Sequence, residues 1–128
     1  MSGLDAACPF CEPDPARQFL DSPLVLGRWD AFPVSPGHAL LVTRRPVATW
    51  FDATPAEQSA LLAAIGEARA AIEARHRPEG YNAGFNAGAV AGQTVPHLHL
   101  HVIPRYAGDH PEPRGGIRAV IPGQGPYG

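Results

Sequence analysis

The chain has 128 residues, 45% of them hydrophobic and only 17% charged, with a formal net charge of −2. That length supports one domain with a buried core, and that charge lacks the basic field that attracts nucleic acid or an anionic membrane surface. No apolar run approaches the roughly 20 residues that span a bilayer, and no charged-then-apolar leader opens the chain, so a soluble cytoplasmic protein is expected.

In chain order, Cys8-Pro9-Phe10-Cys11 comes first and holds both cysteines. A pair at this spacing reads as half of a zinc site, as a redox pair or as two free thiols. A redox pair normally sits between a strand and a helix, and the preceding residues, Met1 to Ala7, do not read as a strand. Arg17 to Asp21 and Leu24 to Phe32 read as strands around the turn Asp21-Ser22-Pro23. A loop, Pro33 to Gly37, leads into an apolar strand from His38 to Thr43.

The helix is the clearest element. Thr54 suits the N-cap, Pro55 the first helical position, and Glu57 completes a capping box. Leu61, Ile65, Ala68 and Ile72 then share one face. Arg75 suits the C-terminal end, and Pro78 with Gly80 closes it. Tyr81 to Asn86 reads as a strand, followed by a Gly-rich loop through Thr94. The tail after Tyr106 is rich in Pro and Gly, with a short strand at Ile117 to Ile121. One long helix among short strands points to an antiparallel α+β domain.

His97, His99 and His101 alternate with Leu98, Leu100 and Val102, which is the period of a strand. All three imidazoles then share one face, and Pro104 marks the strand end. A regular strand holds His97 and His101 roughly 13 Å apart, too far for one metal ion. His99 with His101 and His38 remains a metal reading, and three solvated histidines are the bland one. The chemical reading is nucleophilic: a neutral imidazole attacks phosphorus and forms a phosphoramidate that water later cleaves. Gly88 and Gly92 let backbone approach a ligand, and Gln93 and Thr94 add donors.

Gly92-Gln93-Thr94-Val95-Pro96-His97-Leu98-His99-Leu100-His101-Val102-Ile103-Pro104-Arg105 resembles the histidine triad (HIT) family of nucleotide hydrolases and transferases. So does Asp30-Ala31-Phe32-Pro33-Val34-Ser35-Pro36-Gly37-His38-Ala39-Leu40-Leu41-Val42. The resemblance implies a HIT-like antiparallel sheet with one long helix, two copies joining their sheets as a homodimer. It implies a HIT domain over residues 1–106; residues 107–128 lie beyond the likeness and are expected to form a Pro/Gly-rich extension packing on the same domain or on the partner. It further implies His99 as nucleophile, His101 at the α-phosphate, and His97 orienting the strand through its carbonyl and side chain. Asp30 would hold the ribose and Phe32 lie near the base, with His38 close to the triad. Asn86, Gly92, Gln93, Thr94 and Val95 would line the phosphate pocket.

Zinc-containing relatives join a Cys-x-x-Cys to the first triad histidine. Cys8, Cys11 and His97 match, but Pro46 stands where the fourth ligand would be. Water or His76 would have to complete a structural zinc, and catalysis requires no cofactor. The implied reaction is hydrolysis or transfer at the α-phosphate of a nucleotide, most simply adenosine. Dinucleoside polyphosphates, nucleoside phosphoramidates and aminoacyl adenylates are all open as substrates. A nucleotide-binding signalling module with negligible turnover, and a histidine-ligated metalloenzyme, are the competing readings.

Overall fold

The computed structural model describes residues 8–12 and 14–127. The leader expectation rests on residues outside these. Five strands form one antiparallel sheet: β1 (Gln18–Asp21), β2 (Val25–Trp29), β3 (Ala39–Thr43), β4 (Gly80–Phe85) and β5 (His99–Arg105). Their spatial order is β1-β2-β3-β5-β4. The helix α1 (Pro55–Glu73) connects β3 to β4. Among the described residues no helix is long and apolar enough to cross a membrane.

Cross-strand registry divides the sheet into two faces. Leu41 pairs with both Gly27 and Leu100, and Ala39 with Val102, so these positions share one face. There Leu41, Leu100 and Val102 pack with Leu61, Ala64, Ala68 and Ile72 of α1. Each fully buried Leu or Ile contributes about 1.5–3 kcal/mol over its exposed state. Ala64, rather than the expected Ile65, completes the buried stripe, and Ile65 packs at its margin. The opposite face carries His99, His101 and Ile103 of β5, Leu40 and Val42 of β3, and Arg28 of β2.

α1 starts as expected. Thr54 Oγ1 accepts from the Glu57 N–H at 3.1 Å, and Glu57 Oε1 accepts from the Thr54 N–H at 2.8 Å. Glu57 is buried at 3% exposure and receives both Nε and Nη2 of Arg45. A second capping box, Thr49 with Asp52, opens a short 3-10 turn at Trp50–Asp52 that sequence reading passed over.

Three expectations are corrected. β5 begins at His99, so His97 lies before the strand and its ring turns into the interior, at 0% exposure. The chemical face therefore presents His99 and His101 without His97. Pro104 does not end the strand, because β5 continues to Arg105. β3 pairs only as far as Val102, so Pro104 lacks a ladder neighbour on that side, where a missing N–H is tolerated. Gly116–Val120 is a 3-10 turn, not a strand: Gly115 and Gly116, at φ +89° and +48°, turn the chain away from extended geometry.

Candidate active site

The turn Pro36-Gly37 delivers His38 to the start of β3. Gly37 has φ +88°, and a Cβ there would approach the His76 ring to 2.9 Å. His38 is buried, and its Nδ1 accepts the Val34 N–H at 3.1 Å. Its other nitrogen, Nε2, therefore carries the proton. That Nε2 lies 2.9 Å from His101 Nδ1, so His38 donates and His101 accepts. His101 is left with its proton on Nε2. Asp30 closes the chain, with Oδ2 3.4 Å from His38 Nε2 and Oδ1 accepting the Phe32 N–H at 2.8 Å.

A second chain fixes His99. Its Nδ1 lies 2.8 Å from the His97 carbonyl, which can only accept. The His99 proton is thus on Nδ1, and Nε2 holds a free lone pair. His97 itself donates from Nε2 to the Thr43 carbonyl at 2.6 Å. The face thus pairs one bare imidazole nitrogen, on His99, with one donor nitrogen, on His101.

Burial lowers the proton affinity of His101 and His38. Desolvation, helped by neighbouring His99 and His38, pushes His101 down to about 4. Desolvation also lowers His38, against the opposing pull of Asp30. Both rings are accordingly neutral at pH 7.

Two cavities meet at His101. One, of about 170 Å³, is floored by Arg28, Leu40 and His99 and walled by Phe10, Asp30 and Phe32; Val95 also borders it. Phe10 and Arg28 went unnoticed in the sequence. Arg28 and Asp30 share a strand period, which would have placed both on one face. Phe10 stands 4.8 Å from the His99 ring, centroid to centroid. The Arg28 guanidinium lies over Phe10 and donates to the carbonyls of Pro9 and Glu12, tying the Cys8–Cys11 turn to the sheet. The second cavity, about 450 Å³, is bordered by Asn86, His38 and the tail.

The Gly-rich loop departs from expectation at Gln93. Its amide nitrogen donates to the carbonyls of Ala48 and Val95, and its oxygen accepts the Gly88 N–H. Gln93 therefore braces the loop, because three backbone groups within reach occupy both ends of its amide. Gly92 ends the short turn in left-handed geometry, and Thr94 is exposed.

Cys8 Sγ, Cys11 Sγ and His97 Nδ1 lie within 4.8 Å of one another. The two sulfurs are paired as a disulfide, so the free-thiol reading is corrected. His97 presents its Nδ1 lone pair to them while Nε2 is held by a backbone carbonyl, the arrangement that orients metal-binding histidines. With the sulfurs reduced, these donors fit a thiophilic ion such as zinc at three positions. Pro46 offers no donor, and His76 packs against Gly37 instead. Asp30, His38 and His101 also converge, but their facing nitrogens are committed to hydrogen bonds with each other.

The sequence matches the HIT domain model over residues 13–108. The chain is 39% identical over 80 residues to the asymmetrical bis(5'-nucleosyl)-tetraphosphatase of Schizosaccharomyces pombe, covering 62% of this chain and 44% of that protein. It is 39% identical over 87 residues to the AP-4-A phosphorylase of Mycobacterium tuberculosis, covering 67% and 45%. Its fold superposes on a HIT family protein from Bacillus anthracis with a TM-score of 0.73 and 33% identity, covering 80% of this chain and 76% of that one. The chain spans a little under half the length of the two curated relatives described. A five-stranded antiparallel sheet with alternate histidines beside a Pro-Gly-His turn defines the class, and this chain belongs to the HIT family.

Proposed function

We propose that this protein is a nucleotide hydrolase or transferase acting at the α-phosphate through a nucleotidyl-histidine intermediate. The observation that carries the reading is the opposite protonation of two neighbouring rings: Nε2 is bare on His99 and protonated on His101. The nucleoside occupies the cavity walled by Phe10 and Phe32, with Asp30 toward the ribose and Val95 at its edge. Asn86 and the loop at Gly92 and Thr94 flank the phosphate.

His99 Nε2 forms a bond to the α-phosphorus, and the bond to the leaving group breaks. The electron pair departs with the leaving atom, which takes up a proton from solvent, and the water that attacks in the second step gives one back. His101 Nε2–H lies on the same face and donates to the phosphoryl group, while His38 holds the opposite nitrogen of that ring. Water then attacks phosphorus, breaks the P–N bond and releases the nucleoside monophosphate, returning His99 to its starting tautomer. Donors fixed before reaction stabilise the charge that develops, which is the main protein contribution to phosphoryl-type transfer.

Zinc at Cys8, Cys11 and His97 would cross-link the N-terminal turn to the entry of β5, a structural task. None of the steps above needs it. The exposed edge of the sheet at β4 suits pairing with a second copy, and a homodimer joined there is part of this reading.

The relatives named for tetraphosphatase and AP-4-A phosphorylase activity support a dinucleoside polyphosphate among the substrates. The test is AMP release from diadenosine tetraphosphate and from an adenosine phosphoramidate, with chelator present, in wild type and His99→Ala. Release by wild type alone is expected. Equal release by both proteins would overturn the mechanism.

A further inference from the structure

Arg28 is an arginine sunk in the floor of the 170 Å³ cavity, at 2% exposure. Strand register puts it in one row with the histidine face: Arg28 pairs with Leu40, and Leu40 pairs with His101. Two strand spacings, about 10 Å, therefore separate Arg28 from His101. That span leaves room for a ribose between a phosphate at His101 and a base at Arg28.

Bracing the N-terminal turn does not use up this side chain. Its Nη1 and Nη2 donate to the carbonyls of Pro9 and Glu12 at 3.2 and 3.1 Å. A guanidinium is a fork with further N–H groups and no acceptor. Nε is left buried without a partner, alone in this among the side-chain nitrogens and oxygens of the described residues. An unmade hydrogen bond at a buried donor costs stability, more so on a charged group. The cavity walls do not supply the acceptor: Phe10, Phe32, Leu40 and Val95 have none in their side chains, and Asp30 is held by the Phe32 N–H and the His38 ring. Arg17, ion-paired with Asp14, also borders the cavity and is likewise a donor only.

Purines differ in what they offer such a fork. Guanine presents two acceptors side by side, O6 and N7, which suit an arginine. Hypoxanthine carries the same pair. Adenine puts its N6 amino group, a donor, where O6 would be, so donor would face donor.

We propose that Arg28 is a specificity-determining residue and that the nucleoside pocket favours a 6-oxopurine, guanine or hypoxanthine, over adenine. The proposal rests on the reading of this cavity as the nucleoside site and narrows its ligand. The Arg28 side chain shifts to meet O6 and N7 as the base enters, and Arg17 reinforces the donor-only character of the site. Adenosine compounds are still accommodated, but more weakly.

The test is calorimetric binding of GMP, IMP and AMP to the wild-type protein; as monophosphates they leave turnover out of the readout. GMP and IMP are expected to bind about tenfold or more tighter than AMP. The 7-deaza analogue of GMP should lose part of that gain. In Arg28→Met the ratio of GMP to AMP affinity should fall to near one. AMP binding as tightly as IMP in the wild type overturns the proposal, and so does tight GMP with IMP as weak as AMP, since the 2-amino group would then be what is read. Equal weakening of both ligands in Arg28→Met, with the ratio kept, overturns it too, because Arg28 would then only brace Phe10. If Arg28→Met binds neither ligand, the wild-type comparison of IMP with AMP decides by itself. Binding of none of the three to the wild type is a different failure: it removes the nucleoside-site reading, and this preference with it.

Discussion

His99 Nδ1 donates to the carbonyl of His97, two residues back, at 2.8 Å. The nucleophile's tautomer is thus set by main chain, not by another side chain. His97→Ala should therefore keep His99 competent while emptying a fully buried site. We expect a turnover loss of no more than about tenfold and a clear fall in thermal midpoint, because a buried ring and its hydrogen bonds are removed. His99→Ala should lose on the order of 10⁴-fold or more, with little change in stability. Steady-state rates and melting curves on the two variants check this contrast.

His38 acts through His101, and its test is kinetic. Without it nothing holds the His101 proton on Nε2. His38→Ala should lower kcat by roughly 10²-fold with a smaller effect on KM. His38→Gln, whose amide nitrogen stands near the imidazole Nε2 position, should recover part of kcat. Equal losses in both variants would mean that His38 only fills space.

The lowered proton affinities carry a stability signature. An unfolded histidine titrates near 6.5, whereas His101 is held down to about 4 and His38 is also lowered. Between those values the unfolded chain binds more protons than the folded one, so stability falls as pH falls. The contribution is complete above about pH 6.5 and is lost on the way down to about 4. Urea midpoints measured across this window should decline, and the decline should be shallower in His101→Gln.

The start of α1 offers a check independent of chemistry. Thr54→Ala removes one half of the capping box and should cost about 1 kcal/mol. Glu57→Ala should cost more, because the same carboxylate serves the Thr54 N–H and both nitrogens of Arg45. Urea unfolding of the two variants orders them.

Metal removal separates structure from chemistry. Zinc on protein purified without a histidine tag would implicate Cys8, Cys11 and His97. Chelation should then lower the melting temperature while leaving turnover within about twofold, since no metal-activated step is invoked. A chelated protein that melts normally but loses turnover, and regains it with metal, would favour the metalloenzyme reading.

Much of this site was legible because short-range patterns determine it. Alternation around His99 and His101 gave their shared face, and the family resemblance carried by Pro36-Gly37-His38 implied a third ring nearby. Alternation alone did not distinguish a strand from the extended segment that enters it, so His97 was assigned to the wrong surroundings. Its burial depends on the cysteine turn, some 90 residues distant in sequence. Gln93 misled for a similar reason: its amide is occupied by backbone groups from Gly88, Ala48 and Val95, which only the folded loop brings together. The tail had β-branched residues but no strand to pair with, and two glycines of positive φ decided its geometry.

The most direct measurement of the central claim is the covalent intermediate itself. A rapidly quenched reaction with an adenosine phosphoramidate, examined by intact-protein and peptide mass spectrometry, should show one nucleoside monophosphoryl group on the His99 peptide. The adduct should be acid-labile and absent from His99→Ala. Steady turnover by the wild-type protein with no adduct at any quench time, together with retained activity in His99→Ala, would contradict the account.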